Sequence, residues 1–245
     1  MRAMRMLAVI LLYSSGAIAA EGALTERDFR GSLGVGEAVH LSYRGLDCKP
    51  LTFDAFAKAM SAASARSDVD RAADGSAVTV TVKRKGGDSC PSPYPPVSQM
   101  PPFALRDLGG KTVTAASLKG KPTLVSFFFA HCPPCILEVG PLNDFAASRH
   151  DLRFLAVTFD EAPMARDFVA RFKLRWRVVP DASDLIDRLR IKQYPTLALF
   201  DAEGRLLGTR LGGVRDELEA ATVAPQISKW VDGLLRVSTE RREVR

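Results

Sequence analysis

The sequence predicts an α/β protein in two parts, a larger region with a central mixed sheet covered by helices on both faces, preceded by a small α+β region. Three observations predict it. From Thr123 to Val237 strand-like and helix-like segments alternate, the pattern of a sheet with helices on both faces. A proline-rich stretch between Asp88 and Pro102 cannot continue a helix or an interior sheet ladder, so it divides the chain. Upstream of it, two alternating runs flank one amphipathic segment.

Taken in order, residues 1–20 read as a signal peptide. Arg2 and Arg5 precede the apolar stretch Met6 to Tyr13, and Ala17-Ile18-Ala19 supplies small residues at a spacing that signal peptidase accepts. The alternative is an uncleaved membrane anchor, although the stretch is short for a span and contains Ser14, Ser15 and Gly16. In the small region, residues 21–90, Ala38 to Tyr43 and Ala77 to Val82 alternate as half-buried strands. Between them a helix starts near Thr52, a good N-cap, with Phe53, Phe56, Ala57, Met60 and Ala63 on one face. Residues 91–101 are the linker, residues 102–238 the larger domain and residues 239–245 a charged tail. In the larger domain the expected strands are Thr123 to Phe129, Leu152 to Phe159, Thr196 to Phe200 and Arg205 to Arg210. The expected helices are Pro133 to Ala147, Pro163 to Phe172, Ser183 to Leu189 and Val214 to Val237. Asp201-Ala202-Glu203-Gly204 is a turn, so the last two strands read as an antiparallel hairpin.

The 245 residues are 47% hydrophobic and 25% charged, which excludes a chain dominated by disorder. Cleavage of the leader removes Arg2 and Arg5 and lowers the formal charge from +6 to +4. The remaining cations are scattered apart from Lys83-Arg84-Lys85 and Arg241-Arg242, with no interleaved aromatic residues, so no nucleic-acid partner is expected.

An exported chain keeps disulfides, and the four cysteines fall into two pairs. Cys48 and Cys90 are the structural disulfide candidate. Closing that loop contributes about 4 kcal/mol in the chain-entropy treatment, and a region of this size benefits from a clamp. The alternative is a second redox pair that relays electrons to Cys132 and Cys135. That second couple, Cys132-Pro133-Pro134-Cys135, directly follows an apolar strand and opens a helix. A thiol there meets unsatisfied backbone N–H groups and the positive end of the helix dipole, which stabilise the thiolate that attacks disulfides.

Residues 102–111, Leu118-Lys119-Gly120-Lys121-Pro122, the strand with Cys132 to Glu138, Val179-Pro180-Asp181, Tyr194-Pro195-Thr196 and Asp201 to Arg205 follow one another in a recognisable order. Together they resemble the TlpA/ResA branch of the thioredoxin-like proteins, over about residues 98 to 215. The resemblance implies a thioredoxin-like fold and thiol-disulfide oxidoreductase activity, with no cofactor and no metal. It implies that Cys132 is the exposed attacking thiol and Cys135 the resolving thiol, and that Pro195 is a cis-proline whose neighbour Tyr194 pairs with bound substrate. Glu138, one turn beyond Cys135 on the same helix face, corresponds to an acid that tunes the thiols. The alternative reading is a solvated glutamate early in the helix, favourable with the dipole. His131 stands where the family usually has Trp; it is either a cation that lowers the Cys132 pKa or a neutral surface imidazole beside bound substrate. The proline of Gly140-Pro141 lies one residue later than in most relatives, so an irregular helix exit is expected. The implied location is periplasmic, and the implied partners are a disulfide-bearing exported protein substrate, as in cytochrome c maturation, and a membrane thiol reductant of the DsbD/CcdA-like type. Phe129 to Pro133 is also similar to Sco-type copper chaperones, but those have a Cys-x-x-x-Cys and a downstream histidine ligand. Here the spacing is Cys-x-x-Cys, and after Cys135 the only histidine is His150.

Overall fold

The computed structural model describes residues 25–87 and 90–243. The expected signal peptide lies outside them. Among the described residues no helix is long and apolar enough to cross a membrane. The chain forms two compact units that meet in sequence at Pro95 and Pro96.

The first unit contains α1 (Glu26–Ser32), β1 (His40–Arg44), β2 (Pro50–Leu51), α2 (Phe53–Met60), β3 (Ala65–Arg71) and β4 (Ala77–Arg84). Its sheet has the order β2-β1-β4-β3, with β1 parallel to β4 and the outer pairs antiparallel. The sequence reading of two strands around one helix is therefore incomplete. It misses β3, whose Arg66, Asp68, Asp70 and Arg71 hide the apolar alternation because the strand lies at a sheet edge, where charge is tolerated. It also misses α1, closed by a capping box between Thr25 and Asp28. Thr52 caps α2 as expected, accepting from the Ala55 N–H. Val78, Val80 and Val82 of β4 point into a core with Leu41, Tyr43 and Phe56, where Phe29 and Phe53 complete an aromatic cluster. Thr79 and Thr81, on the opposite face, are buried too. Thr79 hydrogen-bonds Ser42 and the Tyr94 hydroxyl, Arg44 donates to the Pro91 carbonyl, and a disulfide joins Cys48 to Cys90. Residues 90–94 of the proline-rich stretch are thus held to this unit.

The second unit opens with residues that the sequence reading assigns to the linker. Ser98 and Met100 pair with the turn at residues 204–206, because the prolines around them leave their own N–H and C=O groups available. A short hairpin follows, β5 (Ala104–Arg106) and β6 (Thr112–Thr114), then β7 (Thr123–Phe128), α3 (Pro133–Ser148), β8 (Arg153–Thr158), α4 (Ala162–Phe172), β9 (Arg177–Val179), α5 (Ser183–Arg188), β10 (Thr196–Phe200), β11 (Leu206–Leu211), α6 (Glu217–Ala220) and α7 (Val223–Glu243). The sheet order is β11-β10-β7-β8-β9. Strands β7, β8 and β9 run parallel and β10 is antiparallel to both β7 and β11, so the mixed α/β architecture expected from the alternation is the one adopted. Alternate residues of β7 feed two cores. Leu124 and Phe128 pack with α3, α4 and α7, while Val125 and Phe127 pack with α5 and the β5–β6 hairpin.

Two departures have local causes. The helix expected over residues 214–237 breaks into α6 and α7, because Pro225 has no N–H to give the Ala221 carbonyl and its ring would collide with it. The rest of the helix then continues to Glu243, into residues expected as a tail. The irregular exit expected of α3 does not take the form of a break. The helix runs through Pro141 to Ser148, losing only the bond that the Pro141 nitrogen would have made to the Leu137 carbonyl.

Candidate active site

Strand β7, apolar on both faces, delivers the chain to a turn in which the Cys132 N–H donates to the Phe129 carbonyl at 3.2 Å. Cys132 is the N-cap of α3, with Pro133 and Pro134 in the first two helical positions. The prolines supply helical φ and have no N–H, so the first donor of the helix that faces sulfur is that of Cys135, 3.2 Å from Cys132 Sγ. Cys132 and Cys135 are joined in a disulfide. Cys132 is only 1% exposed and Cys135 4%, so the expectation of an exposed Cys132 is corrected for this state. Both sulfur-bearing residues belong to the core cluster between the sheet and α3.

The turn is anchored by a residue that sequence reasoning missed. Asp160, just past β8, accepts from the Ala130 N–H at 2.7 Å and from the Thr158 hydroxyl at 2.7 Å, while its carbonyl accepts from the Asp181 N–H at 2.9 Å. It thereby fixes the backbone two residues ahead of Cys132 to the end of the neighbouring strand. An acid directly after a buried parallel strand was the available signal.

The Tyr194-Pro195 bond is cis. Pro195 lines, with Ser126, Cys135, Glu138 and Phe168, a cavity with about 10 Å³ of water-sized space, near the minimum for one water molecule. Glu138 is 2% exposed and is not the solvated glutamate of the alternative reading. Its Oε1 accepts from the Gly213 N–H at 2.8 Å, while Oε2 is buried with no hydrogen-bond partner among the described residues. Burial pushes its pKa above the usual carboxylate value, against the Gly213 hydrogen bond and the positive charge of Arg210.

Sequence reasoning also missed Gly212 and Gly213, the segment that closes over this carboxylate. A Cβ on Gly212 would lie 2.6 Å from Glu138 Oε1 and 3.0 Å from Pro195 Cγ, and the Gly212 N–H donates to the Pro195 carbonyl at 2.9 Å. Gly213 has φ +116°, which side-chain-bearing residues avoid. A glycine pair directly after a strand is the signal that pointed there.

His131 is exposed in the turn beside Cys132. Tyr194 is half-buried; burial, with the charges of Asp187 and Asp160, pushes its pKa up to about 12 and keeps the hydroxyl neutral. His150 lies past the far end of α3, roughly 24 Å along the helix from the cysteines at 1.5 Å per residue. Cys132, Cys135, Glu138, His131, Tyr194 and Pro195 come together at one end of the sheet. The Cys48–Cys90 bond belongs to the other unit.

The Glu138 geometry makes a prediction. A carboxyl whose folded pKa is raised favours folding while protonated, and that contribution is lost as pH rises from the unfolded carboxyl range, near the ordinary 4.5, through the folded value. Urea midpoints of the wild-type chain should therefore fall with rising pH relative to Glu138→Gln, which stays neutral. Parallel curves for the two proteins would contradict the assignment.

A disulfide held between a buried strand and the first turn of a helix, on a mixed sheet of this topology, defines a thioredoxin-like thiol-disulfide oxidoreductase. The family and sequence comparisons agree with that class. The chain belongs to the redoxin family, whose profile matches residues 96–225. It is similar to the thiol-disulfide oxidoreductase ResA of Halalkalibacterium halodurans, 27% identical over 120 residues that span 47% of this chain and 68% of that protein. It is also similar to the soluble secreted antigen MPT53 of Mycobacterium bovis, 28% identical over 104 residues, 42% of this chain and 60% of that one. Among solved structures, StoA of Bacillus subtilis superposes with a TM-score of 0.44 at 22% identity, over 52% of this chain and 94% of its own.

Proposed function

We propose that the chain is an exported, periplasmic reductase of disulfides in other exported proteins, as in cytochrome c maturation. Its dithiol would be regenerated by a membrane thiol reductant of the DsbD/CcdA-like type. The Cys132 thiolate attacks one sulfur of the substrate disulfide, forming a mixed disulfide and releasing the other substrate sulfur as a thiolate. Cys135, deprotonated, then attacks the Cys132 sulfur, releases the second substrate thiolate and leaves the Cys132–Cys135 disulfide. Two electrons pass from the dithiol to the substrate. Glu138, across the small cavity from Cys135, takes the Cys135 proton through one water and returns it when the couple is reduced again. Tyr194 and Pro195 hold the substrate chain, and His131 stands at its edge.

The observation that carries the direction is the pair of prolines in α3. They remove two N–H groups from the first turn, so among the described residues Cys132 Sγ receives a single backbone donor, that of Cys135. A less stabilised thiolate makes the reduced form less favourable and the couple more reducing. Equilibration of the Cys132/Cys135 couple with glutathione or dithiothreitol buffers should give a reduction potential below about −200 mV. A value near about −120 mV, that of the strong oxidant DsbA, would overturn the reductase reading.

A further inference from the structure

Three aromatic rings from three separate segments meet beside the disulfide. Phe129 stacks on Phe159 with centroids 5.7 Å apart and planes 22° apart. Tyr194 sets its ring at a steep angle to both, 5.5 Å from Phe129 and 5.6 Å from Phe159. Phe129 gives its carbonyl to the Cys132 N–H, and Tyr194 precedes Pro195, which lines the same cavity as Cys135. Phe159 is nevertheless 37% exposed. Leu211 pairs with Thr196, next to Pro195, across the β10–β11 ladder and is 55% exposed. Apolar side chains left in water near a reactive bond forgo the stabilisation that burial would supply, which marks an interaction surface.

The occupant follows from the burial of the sulfurs. Because Cys132 is covered, a substrate cysteine reaches it only when the substrate chain presses against this rim. An extended chain advances about 3.3 Å per residue, so the residue next to the substrate cysteine arrives within a side-chain length of the three rings.

We propose that Phe129, Phe159 and Tyr194 form a platform that selects protein substrates with an aromatic or large aliphatic residue adjacent to the cysteine. This inference rests on the reading above that the disulfide exchanges with protein substrates.

The test uses the pre-reduced full-length chain in single turnover against peptide disulfides that differ only in the residue before cysteine: Phe or Ser. The Phe peptide should react about tenfold faster than the Ser peptide, the low end of what one apolar group discriminates. Phe159→Ser should reduce the Phe/Ser ratio to about twofold, and Phe159→Leu, which keeps apolar volume, should restore most of it. Equal rates for the Phe and Ser peptides in the wild-type chain, or a ratio unchanged in Phe159→Ser, overturn the platform alone. Failure to reduce either peptide overturns the reductase reading and the platform with it.

Discussion

Cys132→Ser is expected to abolish disulfide reduction, lowering the rate by roughly 10⁴-fold or more, the scale seen when an enzyme loses the nucleophile of its covalent intermediate. The expectation follows from position. Cys132 is the N-cap whose sulfur receives the Cys135 N–H, so its thiolate is the one that the helix start stabilises. Cys135 is inside the first turn, beside the buried Glu138 and the small cavity, where a thiol is placed to break a mixed disulfide. The two substitutions should therefore differ in kind. Cys135→Ser keeps the first attack and cannot complete the second, so it should accumulate a covalent adduct with a disulfide-bearing protein, visible as a mass shift that dithiothreitol removes. Expressed in the native cell, the same variant identifies the substrate and the reductant by the proteins it captures. Retention of more than a tenth of the rate by Cys132→Ser, or adduct formation by Cys132→Ser in place of Cys135→Ser, would reverse or remove these roles.

The parts of the fold legible in the sequence were those in which one short-range signal dominates. Strands β7 and β8 are nearly continuous apolar runs because both faces are buried, and the Asp201 to Gly204 turn announces the β10–β11 hairpin. The Cys-x-x-Cys motif is legible for the same reason, since strand, thiols and helix start are contiguous. What escaped was set by tertiary context. Strand β3 carries four charged residues and pairs only because β4 lies beside it. Asp160 acts on Ala130 across the sheet from the next strand, and Gly213 reaches Glu138 from 75 residues away in sequence. The aromatic platform assembles Phe129, Phe159 and Tyr194 from three loops, and no spacing in the chain relates them. Glu138 falls between these cases. Its helical phase relative to Cys135 was readable, but its burial depends on Gly212 lacking a side chain at the place where a Cβ would meet its oxygens.

The second large effect is expected in the first unit. Cys48 and Cys90, 42 residues apart in sequence, close a loop that contains β2, α2, β3 and β4, which is most of that unit. Opening the loop in a Cys48→Ser/Cys90→Ser variant releases about 4 kcal/mol of unfolded-chain entropy in the loop-closure treatment. A single small core supplies no more than about 3–5 kcal/mol of net stability, so the loss is comparable to the whole. The Arg44 bond to Pro91 and the Tyr94 bond to Thr79 would remain, but each closes against residues that the disulfide no longer restrains. Amide hydrogen exchange separates the consequences by location. Protection of Val78 to Val82 should fall by about three orders of magnitude, since each tenfold corresponds to about 1.4 kcal/mol, while protection of Val125 to Phe127 in the second unit should not change. A fall of less than tenfold at Val78 to Val82 would show that the bond is not the clamp of this unit. The same variant decides between clamp and electron relay: single-turnover reduction of a peptide disulfide by Cys132 and Cys135 should be retained. Regeneration of the oxidised couple by the proposed membrane reductant should be retained as well, because a clamp carries no electrons, whereas a relay through Cys48 and Cys90 would lose that step alone.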